Sequence, residues 1–407
     1  MVKLSSLERG ISPPKISKRK KTNAFSPSRT LKVGVKENYL STTEGPSLAA
    51  IEAGQVKIRD HLGYFIEHLK KHSRIELDNT PRLSIDNFSD LYRRNQHSRG
   101  RHFVVHQHNH PIAGVHYDLR LQFSQFSSIS FALPYGLPGN PNSKRRGRMA
   151  IETRVHNLWN HLIESASLAT GSLLIWDIGE YSILPRHKNA VETDDELSES
   201  EFDASNRHQD GQSENEKLFD AFQHSYIRLR LHGVRLPCSY TITLRLCSAN
   251  DVPAHAVGAP RKRRRKTSSS PRKPPTPSTS PDSNAHIDPE PNITAISHAS
   301  ESEEPDSEMA VIRATNAYTG ATNSIGSVHQ RKWFVTLDRQ NSGFVQPKHG
   351  QEKGRWVRNG EEGFEPFFVL GAEVERSVVT GRSAREVEID EGVEGFVGRG
   401  NWRPVLE

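Results

Sequence analysis

The residues best suited to chemistry lie in a predicted strand at 115–123. His116, Asp118 and Arg120 occupy every second position there, and side chains two residues apart on a strand point to the same face. An imidazole and a carboxylate on one face can bind a single divalent cation, with manganese, zinc and iron as candidates. A guanidinium beside that cation matches the geometry of a phosphate group. The spacing therefore predicts a metal site next to an anion-binding group.

A third metal ligand is expected from the preceding predicted strand, at 102–108. Three histidines of one parity lie in or just after it, and they are His106, His108 and His110. Because a short turn separates the two strands, they are expected to form a hairpin. His108 is then the better partner for His116 and His110 is the alternative. A solvated polar strand face could show the same residue types without binding metal, and the extra histidines strengthen the metal interpretation without excluding that alternative.

The composition predicts one folded core with additional segments around it. Only 34% of the 407 residues are hydrophobic, so much of the chain is not expected to enter a core. Residues 1–45 are predicted as a disordered basic tail and 46–95 as a helical extension with one helix at 47–71. The main domain is predicted at 96–340, and 341–407 is a C-terminal extension of unknown role.

Many short strand candidates separated by Pro- and Gly-marked turns follow Arg101. They predict a β-rich α+β fold, specifically a small antiparallel β-barrel with flanking helices. The polar stretches at 190–213 and 250–325 contain too few apolar residues to offset about 1–2 kcal/mol of backbone entropy per residue. We therefore expect both to be disordered insertions in the domain.

Composition also excludes some classes of protein. The two cysteines, Cys238 and Cys247, cannot form a disulfide framework or a cysteine-rich zinc module. No stretch is long and apolar enough to predict a membrane span. The net charge of +7 suits a polyanionic partner. A basic run within 250–325 predicts a nuclear localisation signal, with a phosphate-binding patch or a solvated loop as alternatives. Its residues are Arg261, Lys262, Arg263, Arg264, Arg265 and Lys266.

Seven sequence motifs occur in an order that is typical of one family. They are Phe103-Val104-Val105, His116-Tyr117-Asp118-Leu119-Arg120-Leu121, Ala132-Leu133-Pro134-Tyr135-Gly136, Arg148-Met149-Ala150-Ile151, Gly171-Ser172-Leu173-Leu174-Ile175-Trp176-Asp177, Leu229-Arg230-Leu231-His232-Gly233 and Lys332-Trp333-Phe334-Val335. With them, the chain resembles the 3′-phosphoesterase domain of bacterial DNA ligase D and its stand-alone relatives. The resemblance implies a small β-barrel with flanking helices. It also implies an enzyme that uses manganese to remove a 3′-terminal phosphate or ribonucleoside from a primer strand.

The resemblance assigns roles to individual residues. The metal ligands would be His108, His116 and Asp118, holding Mn²⁺ or another divalent cation. The catalytic candidates are Arg120, Arg148 and His156.

In these catalytic assignments, the two arginines would hold phosphate oxygens and His156 would lie by the scissile phosphate. His106 and Asn160 stand where the family has a functional glutamine and a functional tyrosine, and they join the phosphate-binding candidates. His161 is expected to be structural.

The sequence thus predicts a nuclear 3′-end-processing phosphoesterase that acts on DNA or RNA–DNA ends in DNA repair. An import receptor and repair proteins are further expected partners, and no membrane contact is expected. The alternative is a catalytically inactive module that binds nucleic-acid ends, or a repair scaffold whose insertions recruit partners.

Overall fold

The computed structural model describes residues 47–56, 58–75, 80–186, 211–247 and 306–407. The predicted tail at 1–45 and the basic run at 261–266 lie outside these ranges. The structure corrects one predicted boundary, because part of 250–325 folds onto the core. A helix covers Asp306–Thr315, and Ala317 and Ile325 are buried. These apolar side chains are scattered among polar ones, so the composition of the stretch did not reveal them.

The helices are short, and they flank a sheet. Within the described ranges they are α1 (Leu48–Glu52), α2 (His61–His72), α3 (Ile85–Asn95), α4 (Glu214–Gln223), α5 (Asp306–Thr315) and α6 (Ala384–Asp390). The single helix predicted at 47–71 is wrong, because Gly54 adopts a φ of +72° and the side chain of Asp60 caps a new helix by accepting from Gly63 N. None of these helices is long and apolar enough to cross a membrane.

The strands of the described residues form one large sheet and one small one. They are β1 (His102–His110), β2 (Gly114–Gln122), β3 (Ser127–Leu133), β4 (Gly147–Glu152), β5 (His156–Asn157), β6 (Ser165–Ser167), β7 (Gly171–Ile183), β8 (Tyr226–His232), β9 (Thr241–Leu246), β10 (Lys332–Leu337), β11 (Phe344–Val345) and β12 (Val357–Arg358). A 3₁₀ turn at Trp159–His161 follows β5.

Eight strands close into an antiparallel ring. Their order is β1-β2-β3-β4-β10-β9-β8-β7, and β7 pairs with β1. The prediction of a β-rich fold built on antiparallel pairing is confirmed, whereas the barrel shape stays a prediction. The alternation of β2 explains the main core, since Tyr117, Leu119 and Leu121 are fully buried among apolar residues from all eight strands.

The opposite face of β1 and β7 is covered by helices. Val104 of β1 and Ile175 of β7 share a second apolar cluster with Phe65 of α2, Phe88 of α3 and Trp159. This layer matters for chemistry because His106, His108, His116 and Asp118 alternate with the main-core residues and therefore lie on this outer face.

The residues after β10 pack on the ring. Phe344, Phe364, Val369 and Val387 are buried in the main core. A fully buried ion pair fixes this segment, because Nη2 of Arg382 lies 3.1 Å from Oε2 of Glu164 and neither side chain is exposed.

We predict that Glu164→Gln lowers the free energy of unfolding by about 3 kcal/mol, because the buried Arg382 would lose the charge of Glu164 and keep only that of Asp390, whose Oδ2 lies 3.2 Å from its Nη1. Urea denaturation of the full chain measures this loss. Adding Arg382→Met should restore part of the stability, since it removes a buried charge that Asp390 alone would balance. A single variant as stable as the wild type would contradict the importance of this pair.

Candidate metal centre

The hairpin of β1 and β2 brings three potential ligands together. Its register sets His108 opposite His116 and His106 opposite Asp118. One nitrogen from each of His108 and His116 and one oxygen of Asp118 all lie within 4.8 Å of one another. The three residues that the resemblance assigns as ligands are therefore neighbours on one face of the sheet.

The orientation of His108 is set by a backbone carbonyl. Its Nε2 lies 2.8 Å from the carbonyl oxygen of Thr170. Because a carbonyl can only accept, Nε2 carries the hydrogen and donates it. The other nitrogen, Nδ1, lies 3.5 Å from Oδ2 of Asp118. In the neutral imidazole, the Nδ1 lone pair therefore faces the carboxylate.

His116 shows the same arrangement with its nitrogens exchanged. Nδ1 donates to the carbonyl oxygen of Gly114 at 2.9 Å, and Nε2 lies 3.5 Å from Oδ1 of Asp118. With both imidazoles neutral, two lone pairs and a carboxylate thus converge, and either a proton on His108 or a bound cation would relieve their repulsion. Histidines whose second nitrogen is held by a carbonyl are typical metal ligands, so the donor set fits a divalent cation.

The protonation of these groups is consistent with metal binding. Burial lowers the pKa of His116 to about 4, which keeps the imidazole neutral at neutral pH. Burial alone would raise the pKa of Asp118, but His116, His108 and Arg120 outweigh it and hold that pKa well below its usual range. Burial likewise opposes the charge on His108, yet Asp118 raises its pKa. A proton on His108 would therefore compete with a bound metal ion.

His110 has a different role from the three neighbours. Its Nδ1 accepts hydrogen bonds from the backbone N–H groups of Ile112 and Ala113, both at 3.1 Å. Its ring centroid lies 5.3 Å from that of His108 and 6.4 Å from that of His116. Of the two alternatives that the sequence left open, His108 is the one that lies with His116 and Asp118, whereas Nδ1 of His110 bonds to the backbone of the turn.

Arg120 lies directly beside the carboxylate. Nη2 is 3.4 Å from Oδ2 of Asp118 and Nη1 is 3.4 Å from Nδ1 of His106, while Nε has no hydrogen-bond partner. His106 is 0% exposed, and its Nε2 also lacks a partner. The structure places His106 against Arg120, and its predicted phosphate contact stays a prediction.

His156 lies on β5 at the edge of the same cluster. Its ring centroid is 4.7 Å from those of His161 and Tyr318, and its buried Nδ1 has no hydrogen-bond partner. Burial, with Arg120 and His161 nearby, holds the pKa of His156 well below its usual range. Asn160 is also buried. An added Cβ at Gly54, next to α1, would lie 3.4 Å from Nδ2 of Asn160. Asn160 therefore packs beside the end of α1.

Sequence reasoning missed three members of this cluster. His161, expected to be structural, has Nδ1 3.7 Å from Oε1 of Glu52. Glu52 comes from α1, where its Oε2 accepts a hydrogen bond from Ser165 at 2.7 Å. Tyr318 comes from the stretch predicted as a disordered insertion. The spacing of residues within one strand contains no information on these contacts, because they join distant parts of the chain.

The structure also corrects the predicted role of Arg148. Its Nη1 donates to the carbonyl oxygens of Tyr135, Gly136 and Leu137 at 2.8, 3.3 and 2.8 Å. The side chain is 2% exposed and has the same parity on β4 as Ala150 of the main core. Arg148 therefore holds the loop after β3 and does not face the candidate metal ligands.

Comparison with known families agrees with this geometry. Residues 106–244 match one family model. The family is the DNA Ligase D 3′-phosphoesterase domain. The match confirms the family that the sequence motifs predicted, and its range contains the three candidate ligands, Arg120 and His156. It implies a phosphoesterase, which is a hydrolase, and nucleic-acid ends as the class of substrate. No curated protein matches the chain at a significant level.

We predict that His108→Ala lowers the affinity for Mn²⁺ more than about 100-fold, because it removes a metal ligand. Loss of a residue that only supports a ligand typically costs about 10–100-fold. His110→Ala should lower the affinity less, by no more than about tenfold, because its Nδ1 orders the turn that precedes His116 and does not converge on Asp118. Titration calorimetry on the two full-length variants compares them directly. A larger loss in His110→Ala than in His108→Ala would contradict the assignment.

Proposed function

We propose that this protein is a metal-dependent phosphoesterase that processes 3′ ends of DNA or RNA–DNA strands. It would remove a 3′-phosphate, a 3′-terminal ribonucleoside or both. The observation that carries the proposal is the convergence of His108, His116 and Asp118 beside Arg120. The family match supplies the reaction class.

His108, His116 and Asp118 would hold Mn²⁺, or another divalent cation, with their converging donor atoms. Imidazole and carboxylate together suit several such ions, and manganese is the one that the family resemblance implies. A bound ion at this position would neutralise charge on the phosphate oxygens as the reaction proceeds. Because the site is buried, water screens the attraction between the ion and the phosphate less than it would at the surface. The neutralisation of charge is therefore stronger.

Arg120 would bind the phosphate next to those ligands. Its guanidinium is already fixed by Asp118 and His106, and its Nε has a hydrogen that no group among the described residues accepts. Arginine in such an orientation is suited to phosphate oxygens. Because the guanidinium is held before substrate arrives, little reorganisation is needed at the moment of reaction.

His156 would donate a proton to the leaving group. In the reaction, the oxygen of water attacks phosphorus and the water releases one proton to solvent, while the bond from phosphorus to the 3′ oxygen breaks and that oxygen takes up a proton. A phosphate dianion beside His156 would raise the pKa of its imidazole. The ring could then take a proton from solvent and donate it to the departing oxygen, leaving a 3′-hydroxyl.

Arg154 and Tyr318 would extend the phosphate-binding region past His156. Nη1 of Arg154 lies 3.4 Å from the hydroxyl of Tyr318, and its guanidinium carbon lies 5.7 Å from that ring's centroid. Tyr318 in turn packs on His156. Nucleic acids carry a phosphate at every nucleotide, so this partly exposed cation is suited to the backbone phosphate that precedes the 3′ end.

We also propose that the protein acts in DNA repair in the nucleus, with an import receptor and repair proteins as partners. The basic run at 261–266 supports this proposal. We also propose that the eight-strand ring is the barrel of this domain. We further propose that the domain spans 96–340 and that its insertions lie before residue 306.

Purified protein with Mn²⁺ and a primer that ends in a 3′-phosphate should release inorganic phosphate. His116→Ala should lower the rate at least about a hundredfold, because it removes a metal ligand. Val374→Ala, which alters a side chain that is 60% exposed, provides the matched control. Salt-sensitive binding of the primer without release would instead support the inactive end-binding module.

Arg154→Ala should raise the KM for a 3′-phosphorylated oligonucleotide by about tenfold and leave kcat nearly unchanged, because one charged contact to phosphate is lost. Arg154→Lys should recover part of the loss, since the charge is retained. Steady-state kinetics at two salt concentrations measure both variants. If Arg154→Ala has the KM of the wild type, the backbone contact is wrong.

A further inference from the structure

The end of the chain contacts both turns that orient the metal-binding histidines. One is the turn between β1 and β2, whose Gly114 carbonyl accepts from His116. The other is the turn between β6 and β7, whose Thr170 carbonyl accepts from His108. The family match ends at residue 244, so the segment that reaches these turns lies beyond it.

The β1–β2 turn is contacted by residues just after α6. Nη1 of Arg399 donates to the carbonyl oxygen of Ile112 at 3.3 Å. An added Cβ at Gly114 would lie 3.5 Å from Cβ of Arg399, and one at Gly398 would lie 2.7 Å from Oδ1 of Asn109. The backbone of this segment therefore packs closely on the turn and on the end of β1.

The β6–β7 turn is contacted by the same part of the chain. The hydroxyl of Ser172 donates to Oε1 of Glu388 at 2.7 Å. Gly171 has a φ of +77°, and an added Cβ there would lie 1.9 Å from the carbonyl oxygen of Asn109 and 3.1 Å from Cζ of Phe396. The two turns thus meet at Asn109, and one C-terminal segment packs on both.

We propose that residues 388–399 form a C-terminal brace that positions His108 and His116 for metal binding. The brace acts through the two carbonyls, because the direction of each carbonyl sets the rotation of the imidazole that bonds it. Ligands must be held within about 0.5 Å of their productive positions, so a displaced turn weakens the metal site without removing a ligand. This inference rests on the proposed function, since the ion concerned is the one assigned there.

The full-length double variant Phe396→Ala/Arg399→Ala tests the brace. Its Kd for Mn²⁺ should rise about tenfold, the lower end of the range for groups behind a ligand. Its visible absorption spectrum with Co²⁺ should also differ from that of the wild type, because the ligand geometry changes. Val397→Ala is the matched control, since that side chain is 81% exposed within the same segment. It should retain the wild-type Kd and spectrum.

Glu388 supplies a second test with a conservative partner. Glu388→Gln keeps an oxygen that accepts from Ser172 and should bind Mn²⁺ like the wild type, whereas Glu388→Ala should bind about threefold more weakly. Unchanged Kd values in the double variant and in Glu388→Ala, with a lowered Tm, would overturn the brace and leave the proposed function standing. A wild-type protein that binds no Mn²⁺ would refute the metal centre, and the brace with it.

Discussion

His108 and His116 each use one ring nitrogen to bond a backbone carbonyl, and they thereby turn the other nitrogen towards Asp118. This constraint gives the strand face its chemistry. Without the carbonyls of Gly114 and Thr170, two buried imidazoles beside a carboxylate could satisfy one another by ordinary hydrogen bonds. With them, the three groups direct donor atoms at one position that would suit a cation.

The rest of the fold can be understood as support for that arrangement. The antiparallel register sets the two histidines opposite each other, and the closed ring fixes the strands that carry them. Helices α1 to α3 cover the outer face and limit the access of water. The electrostatic interactions of Asp118 and Arg120 are therefore screened less than at the surface. The segment after β10 completes the structure by packing on both the core and the turns.

Local periodicity was enough to predict the centre of the site but not its surroundings. The alternation in β2 placed His116, Asp118 and Arg120 on one face because strand geometry depends only on neighbouring residues. Arg148 had the right residue type in a strand, but its parity turned it towards core carbonyls. Glu52 reached the cluster through packing between distant segments, and no local pattern encodes such a contact.

The most direct test of the metal centre is a crystal of the full chain grown with Mn²⁺ and measured near the manganese absorption edge. The account predicts one strong anomalous peak about 2.0–2.3 Å from Nδ1 of His108, Nε2 of His116 and a carboxylate oxygen of Asp118. The absence of a peak between these three atoms, or a peak bound by other residues, would contradict it.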